Sequence, residues 1–455
     1  MVKINMRKAV ALIISIVLLL STGCSHLEAL FTDDSYKDLL FNPGFVHSID
    51  IHLDGDDWTE IHEEPMSGYT YEANITIDDE YTRRVGFSTK DDDPVLQQVV
   101  ESGSGKFSYD IDFDGFIDGQ SWHGLDQFCL LNMYGDATCM KDYITYNMFR
   151  RVGVPSPLAS YVWLKVNGEI QGLYLAVEDI NVSFINRCFD GEGSLYRPEK
   201  AFSPVVSDVK GADLVFRGNA PEFYSDIFDH DILIQDTRSR DRVIKCLQKI
   251  QQNDDLENAL DTDELIAYFT VNNFVVNYDS YTGELIHNFY LYEDDGCLAM
   301  IPWDYDQIFG SFPDDYTLCQ NQSSKIINQG IDSPLDNRFS DSRPMWGWIV
   351  SNDEYLNKYH ETMGVLIEEY FDSGEFEAET SAVYDMILPY VQCDPASFCT
   401  VNCFDSAFHM FRRAALLRSV SVKRQLEGSL ATVTDEQKKE DRVDVSPISL
   451  ADFTH

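Results

Sequence analysis

The chain has 455 residues, 44% hydrophobic and 13% aromatic, which suffices for one large or two ordinary packed domains and excludes global disorder. It carries 34 Lys and Arg against 77 Asp and Glu, a formal charge of -43. Nucleic-acid affinity rests on cations that displace counterions from phosphates, so this charge excludes a DNA or RNA partner and makes basic proteins the expected ones.

At the N-terminus, Lys3, Arg7 and Lys8 precede an apolar run from Ala9 to Leu20. The run is too short for a mature membrane-spanning helix but suits the core of a secretory signal, so residues 1–23 read as a signal peptide. Ser21-Thr22-Gly23-Cys24 resembles the bacterial lipobox, with Ser21 where Leu is commonest. That resemblance implies lipidation of Cys24, anchorage on the extracytoplasmic face of the cell membrane, and a tether over residues 24–48. The other nine of the ten cysteines form no C-x-x-C pair, so neither a disulfide framework nor a structural zinc site is expected.

Further along, Phe107, Tyr109, Ile111 and Phe113 alternate with polar residues and predict a half-buried strand. The same stretch, Asp110-Ile111-Asp112-Phe113-Asp114-Gly115, resembles the start of a calcium loop, but Ser121 stands where a bidentate Glu belongs. Asp136 is placed to cap a helix reaching Arg151, with Met140, Ile144 and Met148 on one face. Two β-prone runs, 161–165 and 170–177, flank Asn167-Gly168, a strong hairpin signal. A helix is expected over 262–277, followed by strands over 287–292 and 297–303 joined at Asp294-Asp295-Gly296. Helices over 352–370, 377–388 and 404–426 follow, then a flexible polar tail over 428–455. Strands giving way to helices predict an α+β fold with a sheet-rich N-terminal part and a mainly helical C-terminal part.

One segment carries most of the chemistry. It runs from Asn277-Tyr278-Asp279-Ser280 through His287-Asn288-Phe289-Tyr290 to Ile301-Pro302-Trp303-Asp304-Tyr305-Asp306. An acid follows the helix, an Asn opens a strand, and two acids end the return strand. Phosphoryl transfer needs such a set, one carboxylate for the attacking hydroxyl and oxygen ligands for a divalent metal on the phosphates. By spacing alone, solvated turn acids explain the pattern as well. Trp303 reads as core packing, and the ten His residues, without H-x-x-x-H spacing, read as surface or core positions.

Asn167-Gly168, Gly172-Leu173-Tyr174-Leu175-Ala176-Val177-Glu178, Leu195-Tyr196, Gly211-Ala212-Asp213-Leu214, Asn288-Phe289-Tyr290-Leu291-Tyr292 and Pro302-Trp303-Asp304-Tyr305-Asp306 together resemble the spore coat protein H (CotH) kinase family. The likeness covers roughly residues 49–427. It implies a divergent, atypical protein-kinase-like fold that uses ATP and Mg²⁺ (or Mn²⁺) to phosphorylate Ser or Thr of an extracytoplasmic or coat protein.

Residue by residue, the resemblance implies that Asp279 is the catalytic base, that Asp304 and Asp306 bind metal, and that Asn288 completes the metal shell. Glu178 is implied to contact nucleotide or to pair with a lysine, and Lys90 and Lys106 compete for the phosphates. Lys106 is favoured because it opens a Lys-x-Ser-Tyr run as in the family, whereas Lys90 is followed by Asp91-Asp92-Asp93 where the family has an Arg-Gly-Asn-Ser turn. The alternative is a catalytically inactive surface or spore-coat scaffold. Against it, a scaffold has no physical need for clustered carboxylates that repel one another without a cation.

Overall fold

The computed structural model describes residues 33–189, 193–200, 209–283, 285–310, 323–334, 342–446 and 448–449. The signal segment and Cys24 lie outside them. Seven strands close into a barrel: β1 (His47–His52), β2 (Tyr71–Ile77), β3 (Glu80–Thr89), β4 (Tyr109–Asp112), β5 (Gln127–Leu131), β6 (Ala159–Val166) and β7 (Glu169–Glu178), in the order β1-β2-β3-β4-β5-β7-β6. Closure comes from a parallel pairing of β1 with β6, Ile49 opposite Leu164 and Ile51 opposite Val166. The strand expected around residue 110 is β4.

Alternation assigns the faces. Ile49, Ile51, Ile75, Phe87, Tyr174 and Ala176 fill the barrel, while Leu173, Leu175 and Val177 of β7 join the second, larger core on the helical side. The unbroken apolar run of β7 therefore reflects burial on both faces. Its hairpin with β6 turns at Asn167 and Gly168, with φ of 51° and 81°, the double left-handed turn that suits the twist of paired strands.

Helix α1 (Lys141–Arg151) packs beneath β6. It begins later than Asp136 because that carboxylate closes the preceding turn itself, accepting from the N–H of Thr138 (2.9 Å), Met140 (2.9 Å) and Lys141 (3.0 Å). A second sheet, antiparallel, has the order β11-β10-β8-β9, with β8 (Ser194–Tyr196), β9 (Asp231–Leu233), β10 (Phe289–Asp294) and β11 (Cys297–Pro302). Around it lie α2 (Ser239–Gln252), α3 (Thr262–Phe274), α4 (Asp353–Leu366), α5 (Glu375–Val391) and α6 (Val401–Leu426). Every residue of α3 from Leu265 to Phe274 is buried, so it is the central helix of the larger core. The fold is α+β, with the barrel in the N-terminal half and the helices concentrated in the C-terminal half.

Two expected boundaries shift. Residues 33–48, read as tether, pack on the barrel: Tyr36, Leu40 and Phe41 are buried, and the Tyr36 hydroxyl donates to Glu178 Oε1 at 2.5 Å. Much of the polar tail is also tied down. Leu430 and Val443 are buried, and the Val443 backbone exchanges hydrogen bonds with the Asn328 side chain at 2.8 and 3.2 Å. Among the described residues, no helix is long and apolar enough to cross a membrane.

The N-terminus of α3 stores an unfavourable charge. Asp261 caps it by accepting from the Glu264 N–H at 3.0 Å. In a reciprocal capping box, Glu264 would accept from the Asp261 N–H, but the Leu298 carbonyl of β11 takes that proton at 3.2 Å. Glu264 Oε1 is buried without a donor, and burial, with Asp261 nearby, pushes its carboxyl up to about 8 from 4.5. An acid whose pKa is raised on folding contributes no penalty below the unfolded value and a growing one as pH climbs to the folded value. Glu264→Gln is therefore expected to leave stability unchanged near pH 4 and to raise it by about 1–3 kcal/mol at pH 8, read from denaturant unfolding at both pH values.

Candidate active site

The site begins where α3 ends. That end comes before residue 277 because Val276 adopts a left-handed φ of 52° and the Phe309 N–H takes the Val275 carbonyl at 2.7 Å. The fully buried Arg418 of α6 donates to the carbonyls of Asn273 (3.0 Å), Phe274 (3.0 Å), Ile327 (3.2 Å) and Gln329 (2.6 Å). One guanidinium thus satisfies two of the helix's last carbonyls and ties residues 327–329 to the end from which the next loop departs. In that loop the Asn277 side chain accepts from the Asp279 N–H at 2.9 Å. Asp279 is 5% exposed; His287 Nε2 contacts its Oδ1, and Asn288 Nδ2 donates to its Oδ2 at 3.2 Å.

The β10–β11 hairpin supplies the other half. Phe289 pairs with Pro302, so Asn288 and Trp303 meet at the open end, with the Trp303 N–H on the Asn288 carbonyl at 3.3 Å. Asn288 and Asp304 both hold positive φ, 59° and 53°, a conformation that Asn and Asp tolerate best among non-glycine residues. Helix α1 grips the turn from the other side. The Asp304 N–H donates to the Tyr146 hydroxyl at 3.0 Å, and the Tyr305 N–H to Asp142 Oδ1 at 2.7 Å.

Four carboxylates now share one region. Burial pushes Asp304 up to about 8, with Asp142 and Asp279 adding repulsion. Burial likewise pushes Asp142 up to about 8, with Asp306 adding to it, and raises Asp306 well above the carboxylate range, with Asp304 adding and buried Lys141 opposing. Such a group holds either a proton or a cation. Among the described residues no three His, Cys, Asp or Glu side chains converge as a metal cage. Asp304 and Asp306, two residues apart, are hard oxygen donors of the kind that suits Mg²⁺ or Mn²⁺, while the Asn288 amide turns its Nδ2 towards Asp279.

The expected cations separate. Lys90 follows β3; its Nζ pairs with Asp92 at 2.7 Å and lies 5.8 Å from the centroid of the Trp303 ring. Lys106 lies elsewhere: its Nζ pairs with Asp394 Oδ2 at 2.7 Å, both side chains 3% exposed, between the rings of Tyr174 and Phe398. A cavity of about 290 Å³ beside that pair is lined by Asp136, Cys139 and Cys399 among others and by none of Asp279, Asp304 or Asp306. Glu178 pairs with Arg187 at 2.5 Å, not with a lysine, and accepts from the Leu158 N–H at 3.0 Å. It ties the end of β7 to the helix Val182–Cys188. Trp303 packs edge-on against Tyr290, 5.9 Å between centroids, as core packing predicts.

Two residues of the site escaped the sequence reading. Asp142 sits in the first turn of a helix whose presence was legible, and His287 stands next to Asn288. Adjacency to a recognised motif was the available signal for His287; nothing local marked Asp142.

The family model described as CotH kinase protein matches residues 101–425. The chain is also 22% identical to the inner spore coat protein H of Bacillus subtilis (strain 168) over 333 residues, 69% of this chain and 86% of that protein. With the family model spanning most of its length, from β4 of the barrel through the helical half, the chain belongs to the CotH kinase family.

Proposed function

We propose that the protein is an ATP-dependent kinase that transfers the γ-phosphoryl group to Ser or Thr of an extracytoplasmic or coat protein. The observation that carries this reading is the convergence of Asp279, Asn288, Asp304 and Asp306, from two separate elements, on one half-enclosed cluster. Asp279, oriented by His287 and Asn288, accepts the proton of the acceptor hydroxyl as its oxygen attacks the γ-phosphorus and the bond to the β-phosphate oxygen breaks. Asp304 and Asp306, with the amide oxygen of Asn288, would hold Mg²⁺ or Mn²⁺, which when bound neutralises charge on the β- and γ-phosphates. Of the two lysines, Lys90 fits the phosphate role better, because its partner Asp92 is 38% exposed and can give way to a phosphate, whereas Lys106 and Asp394 are both enclosed, 3% exposed.

Address and partner belong to the same proposal. The lipobox-like Cys24 supports anchorage to the outer face of the cell membrane, and the likeness to an inner spore coat protein supports association with a spore coat. A charge of -43 favours a Ser-containing acceptor rich in Lys and Arg. The test is transfer from γ-labelled ATP by a chain starting at residue 26, with Mg²⁺ and with Mn²⁺, onto basic and acidic Ser peptides. Metal-dependent labelling of the basic peptide, falling with added salt, is the expected result. Absence of transfer to any acceptor, the protein itself included, would leave the inactive-scaffold reading in its place.

A further inference from the structure

The loop after β3 carries Asp91-Asp92-Asp93, and its middle residue does something its neighbours do not. Asp92 reaches from the barrel to the second sheet: its Oδ1 lies 2.7 Å from Lys90 Nζ, and its Oδ2 contacts Arg197, which follows β8. Both cations stand over aromatic rings of the hairpin that ends in the acid cluster. Lys90 Nζ is 5.8 Å from the centroid of Trp303 and the Arg197 guanidinium 5.9 Å from that of Tyr290. The two rings are 5.9 Å apart, and Trp303 immediately precedes Asp304. Two cations on an aromatic floor, one ring of which immediately precedes Asp304, form a place for a polyphosphate, and here one carboxylate fills it.

We infer that Asp92 is an internal phosphate mimic: it occupies the Lys90–Arg197 anion site and must be displaced before the phosphates of a nucleoside triphosphate can engage. The assignment of the anion to nucleotide phosphates rests on the kinase reading; the occupied anion site does not. Other acids near Lys90 are poorer competitors. Asp110 lies 3.5 Å away, and desolvation pushes its carboxyl up to about 6, while that of half-buried Asp179 is pushed to about 7. Asp92 moves the other way: although its burial opposes the shift, Lys90 and Arg197 hold it well below the carboxylate range, so it remains the ionised partner. Its side chain is 38% exposed against 11% for Lys90, so the anion can leave by moving into solvent while the cation stays in place. A site filled by its own chain for most of the time binds a ligand more weakly in proportion to the fraction that is open.

The test uses inorganic tripolyphosphate, which has the charge of the nucleotide tail and no base. Binding is measured by calorimetry for the wild type, Asp92→Ala, the near-isosteric Asp92→Asn and the double variant Asp92→Ala/Arg197→Ala. Removal of the competing charge is expected to tighten tripolyphosphate binding by about tenfold in both single variants, and loss of Arg197 to cancel the gain. Equal or weaker binding by the single variants, or a gain that survives loss of Arg197, would overturn the inference. ATP transfer in the same variants keeps the two readings apart. A tighter tripolyphosphate site without ATP turnover in any variant upholds the lock and removes the kinase.

Discussion

Asp304→Asn is expected to abolish metal-dependent phosphoryl transfer while leaving the protein folded. Asp304 and Asp306 are half-buried beside buried Asp142 and Asp279, and the substitution removes one charged oxygen from the pair that would hold the cation. A divalent metal supplies several kcal/mol of charge stabilisation to such a transition state, so transfer should fall by about 10³-fold or more, and nucleotide binding should lose its dependence on metal. Asp279→Asn should differ in kind. Its contacts are His287 and Asn288, so ATP with metal still binds, and transfer falls by about 10²-fold, the scale of a lost general base. Both changes are nearly isosteric and relieve repulsion among neighbouring acids. Nucleotide binding with and without metal, measured beside autophosphorylation, separates them. Loss of metal-dependent binding in the Asp279 variant alone would reverse the two assignments.

What could be read from the sequence was mostly what is decided locally. The turns at Asn167-Gly168 and Asp294-Asp295-Gly296 were legible because left-handed backbone selects Asn, Asp and Gly, and the structure holds φ of 51°, 81°, 45° and 87° at Asn167, Gly168, Asp295 and Gly296. The order of acid, Asn and two acids was legible for the same reason, since one helix end and one hairpin carry all four. Closure of the barrel was not, because Ile49 meets Leu164 across more than half the barrel's sequence. The early end of α3 depends on Phe309 and Arg418, and the anchoring of the tail on Asn328, each far along the chain. A periodic pattern carries no trace of such partners. At the lysines the resemblance favoured Lys106 for its Lys-x-Ser-Tyr setting, while its structural partner, Asp394, lies 288 positions away, beyond any local pattern.

That separation makes Lys106 the sharpest place to tell structure from chemistry. Asp394 accepts from Lys106 Nζ at 2.7 Å and from the Leu173 N–H at 3.0 Å, and its other oxygen takes the Ala396 N–H at 2.9 Å. The carboxylate comes so near β7 that a Cβ on Gly172 would stand 2.2 Å from Oδ1, and Gly172 accordingly has none and a φ of 123°. The pair therefore fastens the segment after α5 to the barrel wall. Removing one member of a buried pair strands the other, at a cost of about 3–5 kcal/mol, whereas replacing both by apolar groups of similar size is often nearly neutral. Lys106→Met is expected to destabilise the protein by about that amount, and Lys106→Met/Asp394→Leu to recover most of it, as read from denaturant unfolding. Nucleotide affinity, measured well below the unfolding transition, should be unchanged in the double variant if Lys106 is structural. Full stability of Lys106→Met together with lost ATP binding would return the phosphate role to Lys106 and take it from Lys90.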